Sequence, residues 1–260
     1  INKLHQFKDH PFSVVDNEKM LELVKSIENN GILSPLLVRP LGNGEYEIIS
    51  GHRRKRACEI VGKEKVSAII KDISHEEAIP LMVDANFQRE DTLPSEKAKA
   101  YKMKMEALAH QGKSLDEMSS AKQIGQLAGI SDRQVQRYIR LTELIPELSK
   151  LVDDKQITFV LGVEISFLKT EYQQLIYENI CKGKKVSKDN VRMIRENQEN
   201  LSLEEVSQIL FADKVKVQKK ICKVTLKENK LSEFFDSTYT KKEMEKIIYS
   251  LLKEWKKGKD

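Results

Sequence analysis

The sequence predicts a mostly helical protein of mixed class. A small α/β domain comes first, an all-α domain next, and a strand-plus-helix segment last. Three stretches carry that expectation. From Tyr46 to Gly62 the β-formers Tyr46, Ile48 and Ile49 lead into Ser50-Gly51, and Ala57, Ile60 and Val61 then recur at helical spacing. From Ser120 to Leu141 two short helical patterns flank Gly129-Ile130. Near the end, Val215–Leu226 alternates lysine with apolar residues and Lys241–Trp255 repeats an apolar face. The expected divisions are 1–91, 92–200 and 201–260.

Composition narrows the function classes. The 260 residues are 40% hydrophobic and 33% charged, with a formal net charge of +5, an excess compatible with a nucleotide or nucleic-acid partner. No apolar run approaches a membrane span and the polar start does not read as a signal peptide, so a cytoplasmic protein without membrane partners is expected. Cys58, Cys181 and Cys222 are far apart and form no CxxC, which argues against a zinc site or disulfide framework. The five histidines show no metal-ligand spacing.

Taken in order, Asp16 is the expected N-cap of a helix whose face is Met20, Leu23, Val24 and Ile27, closed by Gly31. Leu36–Val38 reads as a buried strand and Leu41-Gly42-Asn43-Gly44 as a hairpin turn returning through Tyr46–Ile49. Arg53, Arg54 and Arg56 then open a helix. Cations there oppose the helix dipole, whereas free N–H groups at a helix start attract anions, so a polyphosphate would explain them. A solvated basic face is the plainer alternative. Val66–Ile70 reads as a further strand. A helix from about Glu76 runs past Pro80 into Asp84-Ala85-Asn86-Phe87-Gln88-Arg89-Glu90-Asp91, a polar cluster that suits phosphate and Mg²⁺ or simple solvation.

Leu93-Pro94-Ser95-Glu96 opens a long helix to Gly112. Next, Ile124, Leu127 and Ala128 form the expected inner face of one helix, and Ser131 with Gln134 is a capping-box signature for a second, packed through Val135, Tyr138 and Ile139. This is helix-turn-helix spacing. The residues expected to face DNA are Gln123, Ser131, Asp132, Arg133, Gln134, Gln136, Arg137 and Arg140. A charged αα-hairpin is the alternative. Short packing helices follow to about 200, with Lys182, Lys184, Lys185 and Lys188 either near phosphates or solvated. Met244, Ile247, Ile248, Leu251, Leu252 and Trp255 make an apolar stripe that packs on Val215–Leu226, on a second copy, or on both, and a homodimer is the expectation.

Over about Phe7 to Leu144 these residues resemble the ParB family of partition proteins. The resemblance implies a ParB/sulfiredoxin-like nucleotide domain, a helix-turn-helix domain and a variable dimerisation region. It further implies CTP with Mg²⁺ closing a dimeric clamp on a palindromic DNA site, slow hydrolysis in many members, and a ParA-type ATPase partner. His10-Pro11-Phe12-Ser13-Val14 is similar to the first nucleotide motif, so Pro11, Phe12, Ser13 and Val14 would border the base. Gly51-His52-Arg53-Arg54-Lys55-Arg56-Ala57 resembles the glycine-arginine box, with His52 where many members have Glu. It implies that Gly51, His52, Arg53, Arg54 and Arg56 hold the triphosphate. Asn86, Gln88 and Arg89 fall in the third motif, with Asn86 toward the metal. Ala85 stands where many members have an acidic residue implicated in hydrolysis, which puts CTPase activity in doubt. The tail departs from chromosomal members, as in a plasmid or mobile-element relative.

Other classes fit less of the sequence. A phosphotransferase or redox-repair enzyme on the same N-terminal fold would want an acidic base near Ala85 or a cysteine at Gly51. A helix-turn-helix regulator without nucleotide leaves the arginine box unexplained.

Overall fold

A computed structural model describes residues 1–87, 92–110, 117–211, 234–236 and 238–257, without the side chains of 117–119, 252, 253, 256 and 257. The expected strand at Val215–Leu226 lies outside the described residues, as do Gln88, Arg89 and Gly112. The chain divides into two compact units, Ile1–Asp213 and Lys214–Asp260.

The first unit begins with a four-stranded sheet, β1 (Leu4–His5), β2 (Leu36–Gly42), β3 (Glu45–Ser50) and β4 (Ala68–Ile70), in the order β1-β3-β2-β4. β2 and β3 are the antiparallel hairpin, joined by Asn43-Gly44 with both residues at positive φ (51° and 76°), as a two-residue turn between twisted strands requires. β1 and β4 pair in parallel on the outside. Two residues are too few to show alternation, which is why β1 escapes a reading by periodicity. The fourth strand covers only the end of the expected Val66–Ile70 run.

Alternation in β3 separates two environments. Ile48 packs with Leu36 and Val38 on one face, and Ile49 joins Phe7, Phe12, Met82 and Val83 on the other. Glu47 shares that second face and is buried. Its carboxylate accepts from the Lys8 N–H (2.8 Å) and Arg39 Nε (2.5 Å), with His75 Nδ1 at 3.4 Å. Burial pushes its pKa up, but the Lys8 amide and Arg39 outweigh burial and hold it below the ordinary carboxylate value.

Three helices clothe the sheet: α1 (Glu18–Asn30), α2 (His52–Val61) and α3 (His75–Phe87). The N-cap of α1 is Asn17, not Asp16. Asn17 has extended backbone angles (φ −113°, ψ −177°) and accepts from Met20 N at 3.1 Å, while Asp16 pairs with Arg56 at 2.6 Å. Ser74 and Glu77 form a reciprocal capping box at the start of α3.

Helix α4 (Pro94–His110) touches three cores at once. Ala100 and Ala107 pack with Phe7, Ile49 and Met82; Tyr101 and Leu108 pack with α5 (Glu117–Ala128) and α6 (Asp132–Arg140); Ala98 joins the bundle that follows. That bundle contains a short 3₁₀ turn (Leu141–Glu143), α7 (Pro146–Asp153), α8 (Phe159–Ile165), α9 (Thr170–Cys181), α10 (Lys188–Asn197) and α11 (Leu203–Phe211). Val206 and Leu210 of α11, beyond the expected division near 200, are buried in the same bundle core. Lys104 of α4 is 2% exposed, and its ammonium binds Asp84 and lies 5.2 Å from the centre of the Phe87 ring.

In the second unit, α12 (Lys241–Lys257) starts at Thr240, whose N–H and hydroxyl both donate to Glu243. Met244, Ile247 and Ile248 are half-buried, whereas Leu251 and Trp255 are 58% and 62% exposed.

The Lys104–Asp84 pair is asymmetric, because Asp84 is partly exposed and Lys104 is not. Asp84→Ala strands a buried ammonium and is expected to cost about 2–3 kcal/mol, less than a fully buried pair because of that exposure. Lys104→Met fills the same space and leaves Asp84 to water, so it should cost clearly less. Urea unfolding of the two variants tests the ordering, and equal losses would contradict it.

Candidate nucleotide cleft and nucleic-acid interface

The chain turns from β3 into α2 at Gly51. Gly51 has φ +111°, and a Cβ there would sit 2.8 Å from Leu36 Cγ and 3.3 Å from the Arg54 guanidinium. The glycine is therefore required by its own fold, before any ligand approaches. No side chain caps α2 at Gly51, so its first turn presents backbone N–H groups without that partner.

One cleft at this turn is lined by His10, Val14, Gly51, His52, Arg53, Arg54 and Asn86. Residues far apart in sequence, from three of the expected nucleotide motifs, thus meet at a helix start. The arginines are held differently. Arg54 lines the cleft while its Nη1 donates to the carbonyls of Ser34 (2.5 Å) and Pro35 (2.7 Å), which anchors the loop into β2; burial lowers its pKa. Arg56 faces a neighbouring cavity with Gln6, Val14, Ile48, His52, Lys55 and Glu59, and its pairing with Asp16 lowers the Asp16 pKa and raises its own. Arg53 is half-buried in the cleft.

The first-motif loop is ordered by its own contacts. The His10 and His52 rings lie 3.8 Å apart, His10 Nδ1 is 2.7 Å from the Phe12 carbonyl, and His52 Nε2 accepts from Phe7 N at 3.4 Å. Pro11 and Phe12 are buried. Ser13 is outside the cleft lining: its N–H and hydroxyl both donate to Glu96 in the first turn of α4. The Asn86 amide donates to Met82 O at 2.8 Å. Phe12, Asn86 and Phe87 also line a second cavity with Tyr101, Ile130 and Tyr138, so third-motif residues and the α5–α6 turn share one space. There burial, and then Tyr138, push the Tyr101 pKa up to about 12.

Ala85 is exposed and supplies no ligand atom, and Asp84 is turned to Lys104. Among the described residues no group of three or more His, Cys, Asp or Glu could hold a metal. Cys58 is buried between α1 and α2, and burial raises its pKa, which suits a packing residue rather than a nucleophile.

Helices α5 and α6 pack through Ala121, Ile124 and Val135 against Tyr101 and Leu108. Leu127, expected on the inner face, is 60% exposed. The contact face is centred on Ala121, Ile124 and Gly125 instead, because the turn folds back onto Gly125. Ile130 N donates to Gly125 O, and a Cβ on Gly125 would meet Ile130 O at 2.6 Å. Sequence reasoning passed over Gly125, although a glycine inside a helix five residues before Ile130 was its signal.

Ser131 caps α6 by accepting from Gln134 N at 3.2 Å. Of the expected DNA-facing residues, Gln123, Ser131, Arg133, Gln136 and Arg137 are exposed and Asp132 is half-buried in the first turn. Gln134 bonds the Tyr138 hydroxyl, which lowers that phenol's pKa against the larger upward effect of burial. Arg140 donates to Ser166 O at 2.6 Å and lies 4.3 Å from the Phe167 ring centre.

The ParB N-terminal domain family matches residues 1–87. The chromosome-partitioning protein Spo0J of Thermus thermophilus is 38% identical over 141 residues, 54% of this chain and 48% of that protein. A nucleoid occlusion protein of Listeria monocytogenes is 32% identical over 177 residues, 67% of this chain and 58% of that protein. The chain thus spans about half the length of these relatives. A C-terminally truncated chromosome-partitioning protein ParB from Caulobacter crescentus, solved with its centromeric parS site, aligns with TM-score 0.46 and 23% identity over 75% of this chain and 96% of that one.

The contacts at Gly51 predict how two substitutions separate. Gly51→Ala should lower stability without any ligand by about 1–3 kcal/mol, from backbone strain and the approach to Leu36. Arg53→Ala should stay within roughly 0.5 kcal/mol of the parent. Thermal unfolding of both variants checks this, and a parent-like Gly51→Ala would refute the strained turn.

Proposed function

We propose, from the match of residues 1–87 to the ParB N-terminal domain family, that this chain is a ParB-type DNA-binding protein of DNA partition whose hold on DNA is switched by CTP. The observation that carries the reading is the cleft in which His10, Val14, Gly51, Arg53, Arg54 and Asn86 converge on a helix start. Backbone N–H groups and guanidiniums at one helix start make a polyphosphate site. The names of the relatives, chromosome-partitioning and nucleoid occlusion proteins, support a role on chromosomal DNA.

In this reading Arg53 and Arg54 hold phosphates, and Pro11–Val14 shape the base side from behind. Arg56 contributes only long-range charge while Asp16 holds it. Mg²⁺ would have to come in with the nucleotide, held by phosphate oxygens and waters with the Asn86 side-chain oxygen as the protein's contribution, and would neutralise phosphate charge. Gln88 and Arg89 complete the third motif. With Ala85 carrying no carboxylate and Asp84 tied to Lys104, the site is a nucleotide switch with at most slow hydrolysis. Arg133, Gln136 and Arg137 read base edges in the major groove, Ser131 and Asp132 set the start of α6, and Gln123 of α5 lies toward the backbone.

Residues 1–91 would form the nucleotide part, the DNA-binding part would run from 92 through the end of α11 at Phe211, and the dimer contact would lie on the α12 stripe. A palindromic site needs paired helix-turn-helix units, and a closed clamp needs a lasting contact between copies. A ParA-type ATPase would be the motor partner.

Calorimetric titration of CTP, ATP, GTP and UTP with Mg²⁺ should show preference for CTP, and Arg53→Ala should weaken CTP at least tenfold without changing the melting temperature. Equal binding of all four nucleotides, or an unaffected Arg53→Ala, removes the switch. Arg133→Ala or Arg137→Ala should each lose about 1–3 kcal/mol of discrimination for a selected duplex.

Light scattering should find a dimer without nucleotide, and Leu251→Glu should make it monomeric at tens of micromolar. A monomeric parent refutes the dimer, and an unchanged dimer in Leu251→Glu places the contact elsewhere.

A further inference from the structure

We infer that a cluster of cations on α10 is a second contact for the phosphate backbone of duplex DNA, beside the recognition helix α6. The inference rests on the DNA-binding reading of α6.

Lys188, Arg192 and Arg195 lie at i, i+4 and i+7, one face of α10. All three turn to one carboxylate, Glu164 of α8. Its Oε1 is 3.0 Å from Arg192 and 3.9 Å from Lys188, and its Oε2 is 3.6 Å from Arg195. Glu164 is only 12% exposed, whereas the three cations are 52%, 40% and 43% exposed. One buried carboxylate therefore hydrogen-bonds Arg192 and faces Lys188 and Arg195 as ion-pair neighbours, and all three cations remain partly exposed. Among the described residues no other carboxylate pairs with them. A lone ion pair would balance its charge, but this arrangement leaves two positive charges over beside a single carboxylate, which suits a polyanion.

The cluster also has a fixed position relative to α6. Arg195 lies 3.6 Å from the centre of the Phe167 ring, and Arg140, the last residue of α6, lies 4.3 Å from the same ring. Arg140 is thereby occupied in packing, and the α10 cations begin where the recognition helix ends. With the N-terminal part of α6 on base edges, such a neighbouring face meets the flanking sugar–phosphate chain. Contacts of that kind position a protein without reading sequence.

The test measures binding of the full-length chain to a selected duplex and to a scrambled one across a range of salt. Lys188→Ala and Arg192→Ala should each flatten the plot of log affinity against log salt by about one unit of slope, and weaken both duplexes by the same factor. Glu164→Gln removes the competing carboxylate and should tighten both. If slope and affinity stay at parent values while melting temperatures fall, the cluster only joins α8 to α10 and the inference is overturned. Failure of the α6 reading looks different: the parent then binds both duplexes equally, whatever the α10 variants do.

Discussion

Helix α4 must satisfy three hydrophobic cores with one set of side chains. Ala98 allows close approach on one face and Ala100 with Ala107 on another, and Tyr101 packs toward α5 and α6. Native-like density leaves little room for error, since an added methylene there displaces neighbours in a well-packed core. The same helix carries Glu96, which holds the Ser13 loop, and Lys104, which holds Asp84. The proposed nucleotide motifs and the helices proposed to face DNA are therefore arranged around one rod, and a displacement of α4 is felt at both.

The proposed nucleotide cleft follows from how cations are distributed along a single helix. Four consecutive basic residues at the start of α2 would repel one another and oppose the helix dipole. The fold relieves this by partnering most of them: Arg54 with two carbonyls, Lys55 with Glu59, Arg56 with Asp16. Arg53 is left lining the cleft with the glycine turn. Exposed pairs such as Arg56–Asp16 are weak and screened by salt, so the arrangement leaves positive potential available to an anion.

Much of this was legible in the residues. The Asn43-Gly44 hairpin, the Ser50-Gly51 turn and the Ser131 cap are each fixed by local chemistry, and the structure has them where the spacing put them. Gly51, His52, Arg53, Arg54, Val14 and Asn86 do share one cleft. What escaped needed tertiary knowledge. Asp16 and Asn17 are equally good caps in isolation, and only Arg56, forty positions on, decides between them. Leu127 has the right period for an inner face, but the close approach of Ile130 to Gly125 rotates the contact away from it. Nothing local reveals that Ser13 belongs to Glu96 or that Arg140 belongs to Ser166.

Glu47 has a consequence for how the hairpin avoids error. In β3 it stands between Tyr46 and Ile48, so a slip of one position would exchange the two faces of the strand. Ile48 would then face Arg39 and His75, and the carboxylate would enter the apolar layer around Leu36 and Val38 with no donor to meet it. An all-apolar β3 would tolerate that slip, because either face would bury grease. The buried charge makes the mistaken pairing expensive from both sides, and so acts as a proofreading mark written into the strand.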